Sequence, residues 1–206
     1  MVRFFFAPTA SIAGSAGAAR LRCGGNPLPN ASMKPDPASQ LFNAIVPAPF
    51  GALGIRTADD KLREVVYLPP SFEAKSADSA VAQRSAEQLA RYLLDPDFVF
   101  DLPLTDAGTE FQRKVWQHIS AIPRGTVRTY GILAKLIGSH PRAVGQACGA
   151  NWFPLVIPCH RVTAAGGLGG FSNQNDENGF HLSVKRWLLR HEGATASPWQ
   201  QQSIWP

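Results

Sequence analysis

Cys159 stands in the run Ile157-Pro158-Cys159-His160-Arg161-Val162, where a sulfur nucleophile is followed directly by an imidazole. Sulfur attacks as thiolate, and a thiol with an ordinary pKa of about 8.5 needs a base or a cation beside it to reach that form. His160 is the base at hand. A third group should orient the imidazole. Acids are scarce in this half of the chain: Glu192, in the C-terminal turn of a helix expected over 183–191, is the best placed, and Asp176 and Glu177 lie in a Gly/Asn-rich loop. Read alone, the Cys-His pair also fits an inert buried thiol beside an incidental histidine.

The elements around the pair must deliver the thiol. Leu155 to Ile157 reads as a short buried strand, and Pro158 keeps the following amide out of any ladder. In an extended segment neighbouring side chains point to opposite faces, so Cys159 and His160 need a bend or a bridging water to exchange a proton. Upstream, Thr109 with Gln112 forms a capping box, and Phe111, Val115, Ile119 and Ile122 make an apolar face that stops at Pro123. Thr129 caps a short helix from Tyr130 to Ile137, ended by Gly138. Pro141 opens another through Gly149. Two short helices joined by Gly-Ser-His have the form of a helix-turn-helix. The second is small-faced, with Ala143, Gly145, Ala147 and Gly149, and carries Arg142 near its start. Such a face suits close backbone approach to a ligand or close packing in a core.

The N-terminal half reads differently. Runs at Phe42 to Val46, Ala52 to Thr57 and Leu62 to Leu68, punctuated by Gly, Pro and Asp59-Asp60, predict a small antiparallel sheet. Ser79 to Leu94 predicts a helix with Ala82, Ala86, Leu89 and Leu93 on its apolar face, ended by Asp95-Pro96. The expected fold class is an α/β N-terminal domain, small antiparallel sheet plus helix, followed by a mainly α C-terminal domain with a helix-turn-helix. The expected organisation is an Ala/Gly/Ser/Pro-rich disordered tail over 1–32, the α/β domain over 33–102, a linker over 103–108, the helical domain over 109–196 and a tail over 197–206. Met33 is a plausible natural start.

Charge separates the halves. Of 20 Lys/Arg and 15 Asp/Glu, ten basic and four acidic residues lie between Thr109 and Gly193, a net of +6, which leaves −1 for the remainder. Concentrated positive charge suits a polyanion held by phosphate contacts. Three cysteines without a CxxC pair argue against a disulfide framework or a zinc site and fit a reducing compartment, a bacterial cytoplasm or a nucleus. His118, His140 and Cys148 are scattered, so no metal is assigned, and no cofactor is expected. No run approaches the ~20 apolar residues that cross a membrane.

Taken together, several motifs resemble the O6-alkylguanine-DNA alkyltransferase family. They are Pro158-Cys159-His160-Arg161-Val162, Arg142-Ala143-Val144-Gly145, Asn151 ahead of the cysteine, Thr129-Tyr130, and Trp187-Leu188-Leu189-Arg190-His191-Glu192-Gly193, in family order across 109–193. The resemblance implies direct, irreversible transfer of a methyl or other alkyl group from O6-alkylguanine, and from O4-alkylthymine, in double-stranded DNA to Cys159, once per molecule, by a monomer bound through the minor groove. It implies a Cys159–water–His160–Glu192 relay, with Asn151 holding the turn and Tyr130 assisting extrusion and departure of the base. Arg142 would replace the extruded nucleotide in the duplex. Ala143, Gly145, Arg128 and Thr129 would meet DNA, and Pro154, Phe171 and Ser172 would form the substrate pocket.

The sequence departs from the family pattern in three places: Trp152 follows Asn151 where Pro is frequent, Phe171 stands where Tyr is usual, and a short glycine link is expanded into Asn173–His181. Two other classes are weighed against alkyl transfer. A lesion-marking DNA-binding protein would need no cysteine, and a thiol hydrolase would need an oxyanion hole, for which there is no signal.

Overall fold

The protein is described from a computed structural model covering residues 39–194. The expected tails over 1–32 and 197–206 and the start at Met33 lie outside the described residues. Three strands form an antiparallel meander: β1 (Ala44–Ala48), β2 (Gly51–Ala58) and β3 (Lys61–Leu68). The β2–β3 turn is the pair Asp59-Asp60, both left-handed at φ 50 and 56, the twist a two-residue hairpin loop requires. Helix α1 (Ala80–Leu94) starts at Ser79, whose side chain accepts from the Ala82 amide, and packs on this sheet.

The buried face of α1 is Ala82, Ser85, Leu89 and Tyr92, while Ala86 and Leu93 are only partly covered. The expected stripe is thus rotated by one residue in two places, which brings Tyr92 inward. Helix α2 (Glu110–Ser120) has the full Thr109–Gln112 capping box. Its buried face is Val115, Trp116 and Ile119; Phe111, expected in the core, is 37% exposed because Trp116 occupies the inner position.

A two-residue parallel pairing joins β4 (Arg128–Thr129) to β5 (Val162–Thr163). Helices α3 (Tyr130–Ile137) and α4 (Pro141–Gly149) follow, with Thr129 capping the first and left-handed Gly138 (φ 70) ending it. Residues 155–157, expected as a strand, instead turn at Leu155 (φ 73), with Pro154 bridged to Ile157. Helix α5 spans Phe180–His191, starting three residues before the sequence suggests.

The segment expected as a linker is pinned to the sheet. Leu62 N donates to Pro103 O and Thr105 N to Leu62 O, while Val65 N donates to Trp152 O. One continuous buried cluster runs from β1 residues through α1, α2 and α4 to α5. No described helix is long and apolar enough to cross a membrane.

Candidate active site

Cys159 opens a 3-10 turn, Cys159–Arg161, not an extended segment. The turn follows from Pro158 and from the bend at Leu155, and it changes the expected geometry: the two side chains no longer alternate across a strand. Asn151 fastens the approach. Its side-chain amide donates to Ile157 O at 2.8 Å, and its carbonyl oxygen accepts from Phe153 N at 3.0 Å.

Cys159 lies at the wall of a cavity of about 440 Å³ shared with Tyr130, Arg142, Gly145, Phe171 and Ser172. Every lining residue comes from 130–175. Cys148, Gly149, Asn173 and Asn175 also line it. Arg142 is exposed at the N-terminal turn of α4, and Arg128 is exposed just before the α3 cap. Ala143 and Thr129 are half-buried. Pro154 does not line the cavity. It is buried in the turn before Cys159, where Leu155's left-handed backbone has drawn it onto Ile157. Tyr130 donates its hydroxyl to Gly170 O at 2.9 Å, bridging α3 to the opposite wall.

Behind the thiol sits a buried polar cluster. His160 and Glu192 are 0% and 1% exposed, with Nε2 2.9 Å from Oε1 on an oblique approach. Burial alone would push the Glu192 carboxyl up. The contacts from His160, Arg161 and Tyr92 outweigh it and hold the group well below the usual carboxylate range. Arg161 grips both oxygens, Nε to Oε2 and Nη2 to Oε1, each at 2.8 Å. Tyr92 donates to Oε1 at 2.6 Å.

Burial pulls the His160 imidazole below its ordinary pKa, and Glu192 only partly opposes this. The ring is therefore neutral at rest. With a carboxylate facing Nε2, the proton is assigned there, and the buried Nδ1 is the acceptor. Burial likewise pushes the Cys159 thiol up, opposed by Asn151 and by the charge on Lys185. The resting nucleophile is thus a thiol, and its proton must leave at the moment of reaction.

Lys185 was not singled out by the sequence. Fully buried on α5, it donates to Val162 O, Leu168 O and Gly170 O at 2.7, 2.6 and 3.1 Å, and burial brings its pKa down to about 8. The readable signal was a lysine between Leu182 and Leu189 on the helix's apolar stripe. Tyr92 was missed because α1 read as ending its inner face at Leu93.

The expanded loop opens with a tight turn. Ser172 and Asn173 are both left-handed (φ 49 and 60), and Phe171 and Gln174 exchange two backbone hydrogen bonds at 2.9 Å across them. Asn173 then donates to Gly149 O at 3.1 Å. Asp176 and Glu177 are exposed and do not line the cavity. Among the described residues no group of three or more His, Cys, Asp or Glu could hold a metal ion.

Residues 110–194 match the family described as 6-O-methylguanine DNA methyltransferase, DNA binding domain. A methylated-DNA–protein-cysteine methyltransferase of Methanosarcina acetivorans is 33% identical over 162 residues, 75% of this chain and 99% of that protein. One from Salmonella typhimurium is 39% identical over 138 residues, 65% of this chain and 75% of that protein. The crystal structure of Mycobacterium tuberculosis O6-methylguanine methyltransferase superposes with a TM-score of 0.60 at 29% identity, covering 77% of this chain and 96% of that one. A structure of the same organism's protein in complex with DNA gives 0.60 at 31% identity, over 75% and 94%.

Proposed function

The chain belongs to the methylated-DNA–protein-cysteine methyltransferase family, and from that premise we propose that it repairs DNA by moving a methyl or other alkyl group from O6-alkylguanine irreversibly onto Cys159. The observation that carries the residue assignment is a thiol at a cavity wall, next in sequence to a neutral imidazole whose other face meets a buried carboxylate.

The Cys159 proton passes through a bridging water to His160 Nδ1, and Glu192, facing Nε2, stabilises the imidazolium that forms. The thiolate attacks the alkyl carbon in line. The S–C bond forms as the O–C bond breaks, and the electron pair goes to O6. Guanine, aided by a hydrogen bond from Tyr130 to N3, takes up the proton returned through water from the His160 imidazolium and leaves neutral. To make that bond Tyr130 releases Gly170 O. No group in the cavity hydrolyses the thioether, so each molecule acts once.

Double-stranded DNA binds across α3 and α4, which we read as a helix-turn-helix lying in the minor groove. Ala143 and Gly145 admit the backbone closely, Arg128 and Thr129 meet phosphates, and Arg142 fills the gap left by the extruded nucleotide. Phe171 and Ser172 contact the base. The protein acts as a monomer without a cofactor in a reducing compartment, cytoplasm or nucleus, where the free Cys148 and Cys159 stay thiols.

Incubation with duplex DNA bearing O6-[methyl-labelled]guanine, followed by peptide mass spectrometry, tests this. A single label on Cys159 is expected. DNA binding without label would make the protein a lesion marker, and repeated turnover would make it a hydrolase. Glu192→Gln is expected to slow transfer at least tenfold; an unchanged rate would remove the relay while leaving the nucleophile in place.

A further inference from the structure

The cavity draws no residue from before Tyr130, yet the polar cluster behind it does. Glu192 Oε2 is taken by Arg161 Nε, while Oε1 meets three groups: Tyr92 Oη at 2.6 Å, Arg161 Nη2 at 2.8 Å and His160 Nε2 at 2.9 Å. The shortest of the three comes from α1, a hundred residues away in sequence. Resting on the function proposed above, we infer that Tyr92 is a positioning residue for alkyl transfer: its hydroxyl fixes Glu192 Oε1 and draws off part of the carboxylate's charge, so that His160 stays neutral and ready to accept the Cys159 proton.

Tyr92 is itself held on several sides. Its carbonyl oxygen meets His191 Nε2 at 2.7 Å, its ring lies against Phe100 at 5.4 Å and edge-on to His191 at 5.5 Å, and His191 stacks on Trp187 at 4.7 Å. The backbone of Glu192 is anchored too, by Arg124 Nη1 at 3.0 Å. The hydroxyl therefore arrives at a place set by packing, and burial beside Glu192 raises its pKa so far that it is always a donor. The titratable and charged groups around Tyr92 and Glu192 are Cys159, His160, Arg161, Lys185 and His191 from the C-terminal half, Arg124 ahead of α3, and Tyr67 from the N-terminal half. Of the two tyrosines, only Tyr92 hydrogen-bonds Glu192.

Removing the hydroxyl has a definite sign. With one donor fewer, Oε1 carries more charge toward His160, the imidazole binds its proton more tightly, and the acidic limb of the rate profile moves to higher pH. The freed carboxylate also loses its fixed orientation.

The test uses the full chain as wild type, Tyr92→Phe and Phe100→Leu, the last loosening the same packing while leaving the hydroxyl. Single-turnover transfer from labelled methylated duplex is measured across the acidic limb, with DNA affinity measured separately. For Y92F the expected result is unchanged affinity, about tenfold slower transfer and an acidic limb at higher pH. F100L should melt at lower temperature with the wild-type limb. A wild-type rate and limb in Y92F, a loss confined to affinity, or an equal shift in F100L overturns the inference alone. Wild-type protein that takes no label overturns the proposed function and this inference with it.

Discussion

Lys185 and His160 bracket the pH range in which Cys159 can react. His160 is held below its ordinary value by burial, so it stays neutral through neutral pH and gains its proton only as the solution becomes acid beyond about 6.5. Lys185, brought down to about 8, loses its charge as pH rises through that value, and with it goes the cation that favours the Cys159 thiolate. The transfer rate should therefore fall on both sides, with the alkaline fall near 8. Lys185→Met should slow transfer about tenfold or more and erase that alkaline fall, as read from single-turnover rates against pH. A fall near 8 that survives in K185M would assign the limb to another group. Cys159, His160 and Glu192 were legible because their chemistry is local or lies in a motif. Lys185 and Tyr92 were not, since each matters through a contact far away in sequence, and only their places on apolar helix faces hinted at burial.

On the small face of α4, Gly145 is not demanded by tight packing. A Cβ placed on Gly145 would meet nothing closer than the Tyr130 ring at 3.9 Å, an ordinary contact. Gly145→Ala should thus stabilise the helix by about 0.5–1 kcal/mol, since glycine in a helix interior costs that much relative to alanine. If the face lies against DNA, the same change weakens duplex binding. Thermal melting and fluorescence anisotropy should then move in opposite senses, and a variant that gains stability with unchanged affinity would take α4 off the DNA.

Gly149 is different. A Cβ there would overlap the Asn173 side chain, which would have to swing away from its bond to Gly149 O. The expanded loop is shorter than the sequence suggests, because Phe180 and His181 already belong to α5. Replacing 173–179 by two glycines removes Asn173 and Asn175 from the cavity wall and should change the methyl-to-benzyl rate ratio, measured by competition between the two substrates. Capping residues made the starts of α1, α2 and α3 readable, and Pro141 that of α4, whereas α2 ends at Ser120, ahead of the Ile122 expected on its face. The turn at Leu155 was not readable, since a left-handed leucine is held there by tertiary contacts and carries no local signal.

Across the whole molecule, positive charge lies in the C-terminal half while the N-terminal half supplies structure. Two of the basic residues behind the net +6 are inside: Lys185 is buried, and Arg161 is committed to Glu192. The outward positive charge then falls to residues such as Arg128 and Arg142. We retain as a proposal the division into domains over 33–102 and 109–196, with a linker over 103–108, but the two are not independent in stability. Leu62 exchanges hydrogen bonds with Pro103 and Thr105, Val65 reaches Trp152, Phe50 packs on Trp187 at 5.3 Å, and Tyr92 closes on Glu192. Urea unfolding should accordingly be a single transition, coincident by tryptophan fluorescence and far-UV circular dichroism, because Trp187 reports on the contact between halves. A chain cut within 103–108 should remain associated and keep transferring alkyl groups. The C-terminal piece alone should unfold at lower urea and react more slowly, having lost the Tyr92 hydroxyl along with the sheet. Two separated transitions in the intact chain would show that the contacts between halves are too weak for α1 to hold Glu192 in place.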